Sequence, residues 1–171
     1  MPSNWTTPIT WNVDQLVTNT DLNEQVRDNL DYLLSPNHAR IVRDNGGNYT
    51  ITNVTTFQDI DSTNLSITIQ THGGPVLVHF QATGWTAGTA HDVYFDLAVD
   101  GFRVGTAFTQ GLGTHIGDGS QRQVITLLLL LTDLSAGVYT LRPQWRTAPT
   151  DIATLYADST RNPVIFEAIE L

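Results

Sequence analysis

The sequence has no cysteine and no lysine. The first absence excludes a disulfide framework, a thiolate zinc site and a cysteine nucleophile, so packing or association must supply the stability. The second leaves arginine as the strong cation, at positions 27, 40, 43, 103, 122, 142, 146 and 161, against 17 Asp and Glu in 171 residues, a formal net charge of −9. Neutralising phosphates takes a clustered basic surface, and scattered Arg in an acidic chain does not make one, so no nucleic-acid partner is expected. Long apolar runs are scarce too. The longest, Val124 to Leu131, covers eight residues and includes Thr126, whereas a membrane helix needs about 20, so no membrane insertion is expected. The opening residues carry no basic segment followed by an apolar one, which argues against a secretory signal.

What is present falls into two styles. Residues 1–36 begin as an extended arm with Trp5, Pro8 and Trp11, then turn to a helical pattern in which Leu22, Val26, Leu30 and Leu33 recur at spacings of four, four and three. Thr20 is the expected N-cap, Asp21 and Glu24 suit the positive end of the helix dipole, and Ser35-Pro36 ends the helix. A stripe this narrow on about four turns is marginal alone in water and needs a partner. The two Trp of the arm either fold back on the body or anchor the arm in a groove on another protein; the residues leave both open.

After a connecting segment and first strand over 37–56, the 57–171 region alternates with period two. Leu65, Ile67 and Ile69, then Val76, Val78 and Phe80, then Val93, Phe95, Leu97 and Val99 each mark one face of a strand. Asp100-Gly101 is a hairpin signal, and the Gly-rich Gln110–Ser120 stretch reads as a long surface loop. Further strands are expected over 123–132, 138–146 and 164–171. Many short strands, turns every 8–12 residues and no βαβ alternation predict a mainly β chain, an antiparallel β-sandwich of the jelly-roll kind, preceded by the arm and one short α-helix.

The 124–131 strand is apolar on both faces, with Ile125, Leu127, Leu129 and Leu131 on one and Val124, Leu128 and Leu130 on the other. An antiparallel strand in a free sandwich buries one face and wets the other. A loop or the arm could cover the second face, or it could be a subunit interface; the patch is larger than monomers ordinarily expose, which favours the interface. The closing strand, with Phe166 among its inward candidates, is two-sided in the same way.

No catalytic constellation emerges. There is no G-x-S-x-G elbow, and the five His are dispersed with neither H-E-x-x-H nor H-x-H, so no catalytic, metal or cofactor-binding residues are expected. His79, in mid-strand, reads as a hydrogen-bonded structural imidazole. Asp92, Asp96 and Asp100 share a strand face but span about 13 Å, too far for a carboxylate pair, and read as a solvated acidic face. Asp59, Asp61 and Thr63 alternate oxygen ligands without the Gly and distal Glu of a calcium loop. Trp85, Trp145, Phe80, Phe95 and Phe166 read as core.

Trp5, Thr6, Thr7, Pro8, Trp11, Leu22, Asn23, Arg27, Asp28, Asn29 and Leu30 together resemble a segment at the start of virion proteins of tailed bacteriophages. The body, through its strand order, its Gly137–Trp145 strand and its closing Glu170-Leu171, resembles the trimeric jelly roll of tumour necrosis factor and the complement-type heads. The resemblance implies a non-enzymatic virion protein, a homotrimer, attached to other virion proteins (major capsid or tail) through Trp5, Pro8, Trp11, Leu22, Val26, Leu30 and Leu33. Its trimer interface would draw on Ile125, Leu127, Leu128, Leu129, Leu130, Leu131 and Phe166. Decoration or stabilisation of the capsid shell is the role it favours. The alternative is the receptor-binding head of a tail fibre or tail tip, taking a host-surface glycan or protein.

Overall fold

A computed structural model describes residues 6–30, 36–117, 119, 121–158 and 163–171. The chain divides into two units, Met1–Asn37 and His38–Leu171.

In the first unit, helix α1 (Asn19–Leu22) continues through a wider, π-type turn over Asn23–Asp28. Its cap is Thr18, not the expected Thr20: Thr18 has extended backbone angles, its hydroxyl accepts from Asp21 N, and the Asp21 carboxylate accepts from Thr18 N at 2.9 Å. An acid three residues after the cap completes this reciprocal pair, and Thr20 has Asn23 at that distance instead. The arm lies along the helix. Asn29, buried, accepts from Thr6 N at 2.8 Å and donates to Thr6 O at 3.0 Å, and one helical turn earlier Gln25 accepts from Ile9 N at 3.0 Å and donates to Thr7 O at 3.4 Å. The two amides satisfy an extended backbone that has no strand to pair with.

The second unit is the expected antiparallel β-sandwich. Its first sheet runs β1 (His38–Arg43), β12 (Val164–Glu170), β5 (Val76–Ala87), β11 (Ile152–Tyr156), β2 (Tyr49–Thr52), with β9 (Gln123–Leu131) on the other edge of β5. The second centres on β10 (Gly137–Thr147) and β6 (Asp92–Val99). On the free side of β10 lie β3 (Gln58–Asp59) and β4 (Ile67–Thr71); on that of β6 lie β7 (Phe102–Arg103) and β8 (Gly113–Ile116). Strand β8 falls inside the stretch read as a loop. It contributes one inward side chain, His115, and pairs Gly113–Ile116 against Phe95–Asp92, so its apolar content was too small to register as a strand.

Period two delivers the inward side chains. Val76, Val78 and Phe80 from β5 and Phe166 from β12 meet Val93, Phe95 and Leu97 from β6 and Leu141 and Trp145 from β10, all fully or nearly fully buried. Phe80 sits between Phe95, with ring centroids 6.0 Å apart, and Phe166, at 6.4 Å edge-on. Each such side chain contributes about 1.5–3 kcal/mol of burial.

Three carboxylates are also buried, and each holds a loop. Glu170 accepts from the Thr71 hydroxyl and His72 N at 2.6 Å and from Gly74 N at 3.1 Å, fixing the β4–β5 turn. Asp151 accepts from Thr89 N, Ala90 N and Asp92 N at 2.8–3.1 Å, gathering the β5–β6 turn. Burial opposes its charge, yet these amides and that of His91 outweigh it and hold the carboxyl below its ordinary range. Asp96 accepts from Leu97 N and Gly105 N and pairs with Arg103. A Cβ on Gly105 would stand 2.6 Å from this carboxylate, so only glycine admits the approach.

The solvated acidic face expected for Asp92, Asp96 and Asp100 is therefore corrected. Asp96 is completely buried and Asp92 is half-buried, accepting from Tyr94 Oη at 2.9 Å; Asp100 alone of the three is exposed, and it accepts from Thr140 N. The segment after β7 returns across this face of the sheet. The sequence alternation identified the face correctly but carried no sign of what lies over it.

Candidate functional site

The register of β9 against β5 sorts the apolar strand. Val78 opposes Leu129, Phe80 opposes Leu127 and Ala82 opposes Ile125, so the odd-numbered residues of β9 face the sandwich interior. Ile125 and Leu131 are buried there, as is Phe166 on the central strand β12, and Leu127 and Leu129 are half-buried against the same core. The other face points out: Val124 is 57% exposed, Leu128 63% and Leu130 47%. Of the residues named for an interface, Leu128 and Leu130 thus lie on the outside, and Val124 joins them.

They belong to a larger grid. Across the outer face of the first sheet, Leu130, Leu77, Ile169 and His38 form one row, Leu128, His79, Glu167 and Arg40 the next, and Thr126, Gln81, Ile165 and Val42 a third. The middle row carries the charge. Glu167 meets His79 Nδ1 at 2.9 Å, Arg40 Nε at 3.4 Å and His38 Nε2 at 3.8 Å. The His79 hydrogen bond, partly opposed by burial, and the Arg40 charge hold the Glu167 carboxyl below its usual range. His79 is thus the hydrogen-bonded imidazole the sequence suggested. The formal charges of Arg40 and Glu167 cancel on this face, in a chain whose total is −9.

At one end the apolar surface continues into a cleft of about 500 Å³ between the β6–β7 turn and the end of β9, where Leu129, Leu131, Val104 and Tyr139 line the wall and exposed Phe102 stands at the mouth. Between β8 and β9 lies a smaller cavity of about 200 Å³. His115 faces it with a buried Nε2 that has no hydrogen-bond partner among the described residues, and burial lowers the imidazole's affinity for a proton.

The outer face of the second sheet is covered over β6. Gly105, Phe108 and Leu112 return over β6, with Arg103 donating to the carbonyls of Gly105 and Phe108 and Arg146 donating to Thr109 O at 2.7 Å. Arg146 lies 4.0 Å from the Tyr94 ring centroid and 5.3 Å from that of Phe57, and Arg103 lies 4.4 Å from Phe57. Asp59 is taken up by Gln144 and Arg142, and Asp61 accepts from Thr63 N and Asn64 N, so the alternating oxygens of residues 59–63 serve separate partners. Among the described residues no group of three or more His, Cys, Asp or Glu could hold a metal.

In the first unit the described part of the apolar stripe is partly exposed. Leu22, Val26 and Leu30 are each about half exposed, as are Ile9 and Trp11 on the arm, and Pro8 is exposed. Trp5 and Leu33 lie outside the described residues. Sequence reading missed Gln25, and it named Asn29 without the role of tying arm to helix; the available signal was a pair of amides four residues apart, beside the Leu stripe.

No protein-family model matches the chain, and no curated protein matches it. Among solved structures, the infectious bursal disease virus Gx strain aligns with 80% of this chain and 36% of that one, at 10% identity and a TM-score of 0.45. Infectious bursal virus-derived T=1 particles align with 79% of this chain and 36% of that one, at 11% identity and a TM-score of 0.42. Dimeric latent PorU from Porphyromonas gingivalis aligns with 79% of this chain and 13% of that one, at 8% identity and a TM-score of 0.36. The chain thus spans about a third or less of these proteins, and likenesses this loose assign it no role.

Proposed function

We propose that this protein is a non-enzymatic structural component of a tailed-bacteriophage particle, a homotrimer that decorates or stabilises the capsid shell and is attached through residues 1–36. The observation that carries the reading is the outer face of the first sheet: Val124, Leu128, Leu130 and Val42 are exposed on a surface whose formal charges cancel. Self-association puts like against like, so an apolar and neutral face on an acidic chain suits contact between copies. The attachment role is supported by the first unit, where Leu22, Val26, Leu30, Ile9 and Trp11 present apolar surface with little of their own to bury it. The virion setting rests on the resemblance of the opening segment, and two residues that carry that resemblance, Thr6 and Asn29, bind each other.

Light scattering on the purified chain tests the trimer; a stable 18.8 kDa monomer at micromolar concentration overturns it. Removing residues 1–36 should leave a folded trimer that no longer binds particles lacking the protein, and undiminished binding overturns the attachment role. A second reading, the receptor-binding head of a tail fibre or tail tip, is favoured by an open cleft bordered by Trp85 and Tyr156 on the outer face of the same sheet. Copy number per particle separates the two, high for a shell protein and low for a fibre tip.

A further inference from the structure

The outer face of the first sheet changes character along β5. Eight residues beyond Leu77, about 26 Å away at about 3.3 Å per residue, the apolar rows give way to rings, hydroxyls and a guanidinium. Trp85 and Tyr156 border an open cleft of about 510 Å³ together with Gln121 and Arg122. Trp85, half-buried, belongs to this outer face and not to the core in which its sequence neighbours placed it.

The cleft is built. The Trp85 indole N–H donates to Gly119 O at 3.2 Å, which fixes the ring. The Arg122 guanidinium lies 4.8 Å from the Tyr156 ring centroid and has no acidic side chain within ion-pair distance among the described residues. Thr154, directly opposite Trp85, shares a hydroxyl contact of 3.3 Å with Thr50. Thr83, directly opposite Tyr156 and on the same face of β5 as Trp85, keeps a buried hydroxyl with no hydrogen-bond partner among the described residues.

This combination selects a ligand class. The negative face of an indole suits the C–H face of a pyranose, whose hydrogens carry partial positive charge. A guanidinium that no described acidic side chain engages offers paired donors to a carboxylate. A small inorganic anion would leave Trp85 unused, and a purely apolar ligand would desolvate Arg122 without compensation. The volume is that of a small-ligand site, and the chain's net charge of −9 opposes densely charged polyanions.

We infer that the Trp85–Gln121–Arg122–Tyr156 cleft binds an acidic saccharide, stacked on Trp85 with its carboxylate on Arg122. This gives the receptor-binding reading a site and rests on that reading only for its biological setting. The test is a titration of the full-length protein with methyl glucuronoside and methyl glucoside, which differ in the carboxylate, following the Trp85 indole N–H by nuclear magnetic resonance. The Trp85 signal should shift and saturate at about millimolar glucuronoside, with the glucoside binding about tenfold more weakly. Arg122→Gln, at an exposed position that leaves the fold intact, should weaken the glucuronoside about tenfold and leave the glucoside unchanged. An unmoved Trp85 signal at about 50 mM glucuronoside, or full affinity in Arg122→Gln, overturns the inference. Adsorption of particles carrying Arg122→Gln tests the reading separately: normal adsorption beside lost glucuronoside binding overturns the receptor role and upholds the cleft.

Discussion

The two sheets of the sandwich share one core but treat their outer faces in opposite ways. On the second sheet, Tyr94, Asp96 and Ala98 of β6 point away from the core and are nevertheless buried, because the segment after β7 folds back across them. On the first sheet no such segment returns over β9 among the described residues of this unit, and Leu128 and Leu130 stand exposed. Around β6 the outward Tyr94 and Asp96 are covered, while the outward Leu128 and Leu130 of β9 are bare. Burial of apolar surface cannot by itself produce that outcome. Polar anchors hold the covering loop, and Leu128 and Leu130 stay exposed.

The sharpest way to break this contrast is to remove the anchor of the cover. Asp96→Ala leaves Arg103 and Gly105 N without their partner in a buried place and should cost about 3–5 kcal/mol in urea unfolding, with faster amide exchange over 103–112. A loss under about 1 kcal/mol would mean that the loop is held by its aromatic and arginine contacts instead. Asp151→Asn should cost about 2 kcal/mol, since the amides of Thr89, Ala90 and Asp92 lose a charged acceptor but keep a neutral one. Because the folded carboxyl sits below its ordinary value, its contribution is present above that value and disappears as pH falls through the folded pKa. Acid unfolding of Asp151→Asn should therefore be shallower than that of the wild type.

Removing the hooks that tie the arm down comes next. Asn29→Ala should cost the first unit about 1 kcal/mol and raise exchange at Thr6 N, read in the full chain by hydrogen exchange. A smaller effect is expected at the open edge between the sheets. His115 is buried with a lowered pKa, so the unfolded chain takes up a proton more readily, and stability should decline as pH drops below about 6.5. His115→Leu should flatten that part of the stability profile. Smallest for the chain itself is the change on the bare face: Leu128→Asp with Leu130→Asp should alter chain stability by about 0.5 kcal/mol or less. Under the proposed trimer it should still give monomers in light scattering.

Much of the sandwich was legible because alternation is a local property. The Val76, Val78 and Phe80 pattern and the Val93, Phe95 and Leu97 pattern named core faces that the structure keeps. The two-sided character of β9 was legible for the same reason, but which side faces inward is set by its register with β5 and not by its own residues. Asp96 was misread since its burial depends on Arg103 and Gly105, which return from beyond a hairpin. Trp85 was assigned to the core because a tryptophan in a strand usually packs there, and its exposure is decided by parity with Leu77 along a 12-residue strand. Strand β8 escaped because four residues among glycines carry too little pattern.

The ladder between β1 and β12 has a kinetic consequence. His38 pairs with Ile169 and Arg43 with Val164, so nearly all of the sandwich lies between partners that must meet. β12 also fills the place between β1 and β5, and the first sheet stays split until it arrives. Such long-range closure makes folding slow, on the order of milliseconds to seconds. During that interval Leu128 and Leu130 are already apolar, while the neighbours that frame them in the grid are not yet in place. Association through this face, as proposed, would have to follow closure, and refolding yield should fall as concentration rises, because unclosed chains can meet through the same leucines.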